Sequence, residues 1–142
     1  MLYRQNLHWN YRLVIKNDSN HIAKNVEFDI EEVIFNGTKR VNFLPAPLNW
    51  THGNSLRDIF PHQIAYLDII IVNNLENVPI ALCAPVLYGL SEMVKIEAGT
   101  TLLKLKYYTE NGKTGTIDLK VTWNGSSATD ENNLPEISII KI

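Results

Sequence analysis

At 142 residues, 45% of them hydrophobic, the chain has the commonest size of a single domain and enough apolar material for its own core. A net charge of −2 and a pI near 6.1, with Lys and Arg scattered along the chain, give no footprint for nucleic acid and no polybasic patch for a membrane surface. The longest apolar stretch, residues 64–72, is interrupted by Tyr66 and Asp68 and falls short of the ~20 apolar residues that a membrane-spanning helix needs.

Residues 1–5 hold neither an apolar core nor a small-residue cleavage site, so no signal peptide is read there. Residues 1–142 are expected to form one domain, alone or as a segment of a longer protein whose leader or anchor lies upstream. With Cys83 as the single cysteine, an internal disulfide is excluded, and the apolar neighbours Ala81, Leu82 and Ala84 point to an inert buried thiol.

In chain order, the first signal is strand, polar turn, strand. Tyr11, Leu13 and Ile15 alternate with Arg12, Val14 and Lys16, and Val26, Phe28 and Ile30 alternate with Glu27, Asp29 and Glu31, so each strand offers one apolar face. The tight polar link between them predicts a pleated ribbon that a second sheet must cover. Residues 64–73 predict a nearly continuous apolar strand. Residues 80–90, broken by Pro85, predict an irregular edge segment, and residues 93–97 a short strand.

The clearest hairpin joins residues 101–109 to 114–123 through Glu110-Asn111-Gly112-Lys113, where Asn-Gly supplies positive φ angles. Leu103, Leu105 and Tyr107, with Ile117, Leu119 and Val121, form its apolar face. Residues 124–133 predict a loop and 137–142 a final strand. The sum is an all-β chain of about seven to nine strands with turn signals every ~8–12 residues and little helix, the rhythm of an antiparallel two-sheet sandwich. Unequal strand lengths argue against an up-and-down barrel.

Reactive side chains concentrate in residues 50–62, and the candidate binding residues there are Trp50, His52, Asn54, Arg57, Asp58 and His62. A metal site from His52, Asp58 and His62 matches no zinc or EF-hand spacing, and Ser55, His52 and Asp58 lie too close in sequence for a catalytic triad. No Gly-rich phosphate loop is present, and the acid and amide run at 130–133 lacks the alternate spacing of a calcium loop. The chain is therefore read as a non-enzyme without a cofactor or metal.

A structural reading of the same loop has Trp50, Ile59 and Phe60 buried as anchors. Arg57 and Asp58 then meet backbone or each other, while His52, Arg57 and His62 stay exposed. Trp9, Trp50 and Trp123 also raise carbohydrate stacking, against the commoner fate of tryptophan in a sandwich core.

Val14-Ile15-Lys16-Asn17, a short polar turn and Ala23-Lys24-Asn25-Val26 resemble the opening signature of prokaryotic immunoglobulin-like modules of the CARDB, or cell-adhesion-related, type. Leu119-Lys120-Val121-Thr122-Trp123, the Asp130-Glu131-Asn132-Asn133 loop and the strand at 137–142 look like that family's closing strands. The likeness covers the two ends of the chain; between them His62 stands where the family usually has Gly. It implies an immunoglobulin-like β-sandwich serving as an interaction or spacer module in a larger surface or cell-envelope protein. Its partners would be another protein or neighbouring domains, and it implies no catalytic residues. The alternative is a β-sandwich that binds carbohydrate or a small ligand through the 50–62 loop.

Overall fold

The computed structural model describes residues 2–5, 8–40, 45–73, 80–82, 96–126 and 136–142. Alternating β-branched and aromatic residues set its strands. These are β1 (Leu2–Gln5), β2 (His8–Lys16), β3 (Ala23–Phe35), β4 (Thr38–Lys39), β5 (Ala46–Pro47) and β6 (Arg57–Ile59), followed by β7 (Ile64–Asn73), β8 (Ile80–Leu82), β9 (Gly99–Tyr108), β10 (Thr114–Trp123) and β11 (Ile137–Lys141). The described residues contain no helix, and none long and apolar enough to cross a membrane. All strand pairs are antiparallel. One sheet runs β1-β2-β7-β8, the other β11-β10-β9-β3-β4, with β5 and β6 also paired to β3.

The expected ribbon of β2 with β3 does not form. β2 lies between β1 and β7, β3 pairs with β9, and the link at residues 17–22 carries the chain from one sheet to the other. Asn17 accounts for the difference. Its N–H donates to the Gln63 carbonyl at 3.1 Å, its carbonyl accepts from the His62 N–H at 2.7 Å, and its Nδ2 donates to the carbonyls of His21 at 2.7 Å and Ile59 at 2.9 Å. The link is thus tied to the segment entering β7, and the apolar stripes of β2 and β3 contribute to one core from different sheets.

The β9–β10 hairpin follows the period-two pattern. Leu119 stands opposite Leu103 and Ile117 opposite Leu105 in the β9–β10 hairpin, and in the four-residue turn Gly112 has φ 84° while Asn111 does not take a positive φ. Asn111 instead uses its side-chain oxygen to accept from the Lys113 N–H at 3.1 Å. β8 is the expected edge piece; residues 83–90, Cys83 among them, 93–95 and 127–133 lie outside the described residues. Ile96 and Glu97 do not continue the strand expected at 93–97.

The described strands exceed the expected number because β1, β4, β5 and β6 are two to four residues long, too short to show a period. β3 also carries a bulge between Ile30 and Glu32. The bulge skips one residue, so Val33 follows Val26, Phe28 and Ile30 into the core and Glu32 does not.

One buried cluster draws on both sheets. Ala65, Leu67, Ile69 and Ile70 come from β7; Val26, Phe28, Ile30, Val33, Leu103, Leu105, Leu119 and Val121 come from the other sheet. On the outer face of β3, Glu27, Asp29 and Glu31 form a ridge of carboxylates. Partial burial, then a hydrogen bond and charge repulsion from Glu27, push the Asp29 carboxyl up to about 6.

A raised carboxyl pKa means the folded chain holds a proton that the unfolded chain releases near 3.8. This stabilising contribution is present at low pH and is lost as the pH rises through about 6. Asp29→Asn should therefore gain urea resistance over the wild type as the pH goes from about 4.5 to about 7. A difference in midpoint that stays constant across that range contradicts the assignment.

Candidate functional site

The 50–62 loop is built inward. Trp50 is 1% exposed, its indole N–H donates to the Val26 carbonyl at 3.0 Å, and its ring meets Phe28 edge-on with centroids 5.7 Å apart. A bridge to Leu67 joins the same residue to β7, so Trp50 ties the two sheets together. Asn54 closes the local turn, its carbonyl accepting from the Trp50 N–H at 2.9 Å and its side chain from the Leu56 N–H at 3.0 Å. Thr51 Oγ1 and Arg12 Nε both donate to Asp68 Oδ1 at 2.8 Å, which fixes the loop's first turn to β2 and β7.

Asp58 meets backbone, accepting from the Asn25 N–H at 2.8 Å. Phe60 corrects the expectation of burial. Ile59 takes the inward position at the end of β6, the alternation turns Phe60 outward, and its side chain is 51% exposed. His52, Arg57 and His62 are exposed, and His62 Nε2 lies 3.1 Å from Asn20 Oδ1. His52 and His62 have φ of 59° and 61°, in the left-handed region, so each marks a tight turn of the loop.

Among the described residues no three His, Cys, Asp or Glu side chains are placed to hold a metal ion, so His52, Asp58 and His62 are not brought together. A His52/Arg57/His62 triple alanine variant should unfold in urea within ~0.5 kcal/mol of the wild type. A larger loss would mean that these side chains carry structure. Trp123 is also core, its indole N–H donating to the Ser126 carbonyl at 2.7 Å, and the Trp9 side chain lies outside the described residues.

The structure adds a feature that the loop does not contain. Leu103 and Leu105 on β9 and Leu119 and Val121 on β10 are at most 1% exposed, yet the next inward residues, Tyr107 and Ile117, are only half-buried, as are Leu13 and Ile15 on β2. The sheets part at this end and leave an open cleft of about 650 Å³. Its walls are Leu13, Ile15, Val26, Phe28, Tyr107 and Ile117. Gly115 sets the Tyr107 wall, because a Cβ there would collide with the ring that lies across it.

The mouth of the cleft combines strand ends from both sheets. Lys16 closes β2, Lys141 closes β11, Lys113 sits in the β9–β10 turn, and His21 and Asp18 lie on the link between the sheets. Lys16 Nζ is 3.4 Å from Asp18 Oδ1; Lys113 and Lys141 make no ion pair among the described residues. The sequence shows the wall residues as core positions and the lysines as scattered charges. Their strand-end positions were a signal, but only the topology brings those ends together.

Compared with family models, curated proteins and solved structures, the chain gives no match.

Proposed function

We propose that this chain is a non-enzymatic binding module of immunoglobulin-like sandwich build, acting as an interaction unit beside neighbouring domains or partners, with its ligand entering between the sheets. The cleft carries this reading. Its volume lies within the ~300–1,000 Å³ of ordinary ligand sites, and its walls join buried Val26 and Phe28 to the half-buried Leu13, Ile15, Tyr107 and Ile117. The loop side chains that looked most reactive are either spent on structure or dispersed.

Titration calorimetry with 1-decanol tests it. The wild type should bind, and Ile117→Trp, which fills the cleft from its wall, should abolish binding while leaving the fold intact by circular dichroism. Equal binding by both proteins, or none by the wild type, would overturn the reading. A second reading places carbohydrate on the 50–62 loop, where the exposed Phe60 beside Arg57 and His62 offers a ring for stacking. A glycan-array signal lost in Phe60→Ala and retained in Ile117→Trp would select it.

A further inference from the structure

We infer that the ligand of the cleft is a single-chain anionic amphiphile, of the chemistry of a medium-chain fatty acid, with its alkyl chain between the sheets and its carboxylate at the lysine mouth. The inference rests on the reading of the cleft as a binding site and adds the ligand's class. Two observations lead to it.

The first is what the interior lacks. Leu13, Ile15, Val26, Phe28, Ile59 and Ile117 supply no polar atom to the lining from their side chains, and Tyr107 supplies one hydroxyl. A sugar or a nucleotide would bury many donors and acceptors there without partners, at a cost for each; an alkyl chain has none to satisfy.

The second is how the mouth is filled. The side-chain amides and hydroxyls at the rim are spent on neighbouring groups. Asn17 Nδ2 bonds the carbonyls of His21 and Ile59, Ser19 Oγ donates to Asn17 Oδ1 at 2.8 Å, and Thr109 and Asn111 are held within the turn to Lys113. Among the described residues the side chains left without a partner at the rim are Lys113, Lys141 and the His21 imidazole, with Lys16 shared with Asp18. Three lysines from three separate elements against one aspartate make the rim positive on a chain whose net charge is −2. A carboxylate complements that rim, and the apolar walls complement the chain behind it.

The test compares laurate, below its micelle concentration, with decanol on the wild type and on a Lys16→Gln/Lys113→Gln/Lys141→Gln variant. These lysines are exposed, so the variant should fold as the wild type does. Laurate should bind the wild type and lose about tenfold in affinity in the variant, with a loss that shrinks as salt rises; decanol should bind both equally. Equal laurate affinity in the two proteins, with decanol still bound, overturns the anionic inference and leaves the cleft reading standing. Failure of both probes on the wild type overturns the two together. Binding to anionic phospholipid vesicles without binding of monomeric laurate replaces the free amphiphile with a lipid surface and also overturns the inference.

Discussion

Trp50→Ala should lower the free energy of unfolding by ~3–5 kcal/mol, measured by urea denaturation. Two losses combine. Removing a ring that is 1% exposed leaves a cavity beside Phe28 and Leu67, and strands held by ladders on both sides have little freedom to collapse into it. The Val26 carbonyl also loses its indole donor in a buried setting, where an unsatisfied acceptor carries a penalty of its own. Trp50→Phe should recover part of the first loss and none of the second. A Trp50→Ala protein within ~1 kcal/mol of the wild type would show that the loop is not what joins β3 to β7.

Leu105→Ala should cost ~2–5 kcal/mol by the same cavity argument. Leu105 is 1% exposed and stands in register between Ile30 on β3 and Ile117 on β10, so its side chain lies in the middle of the larger sheet's inner face. The size of the loss reports how closed the core is at that point, directly across the strand pair from Ile117 in the cleft wall. A loss under ~1 kcal/mol would mean that the cleft extends past Leu105 or that the inner and outer faces are reversed.

Period-two alternation made β9 and β10 legible in the sequence, with Gly112 marking their turn, while near-continuous apolar runs marked β7 and β11. The same alternation made the faces of β2 and β3 legible and their pairing not. Two apolar stripes can be buried side by side or from different sheets, and the choice lay with Asn17, whose bonds to Ile59, His62 and Gln63 span more than forty residues of sequence. The bulge at Glu31 was foreshadowed where the apolar spacing slips from Ile30 to Val33.

At the loop, residue type was a fair guide for Trp50 and Ile59 and a poor one for Phe60. Hydrophobicity says that a phenylalanine prefers burial, but the alternation following Ile59 turns it toward solvent. The cleft was not legible at all. Its walls read as ordinary core, and the lysines at its mouth lie at positions 16, 113 and 141, joined only by the way antiparallel strands end together.

The measurement that bears most directly on the central claim is the set of intermolecular nuclear Overhauser contacts from the alkyl protons of bound decanol in methyl-labelled protein. Ligand in the cleft predicts contacts to the methyls of Leu13, Ile15 and Ile117 and to the Tyr107 ring, and none to Leu56 or Ile64 on the exposed surface. Contacts centred on Leu56 and Ile64, with Ile117 silent, would contradict it.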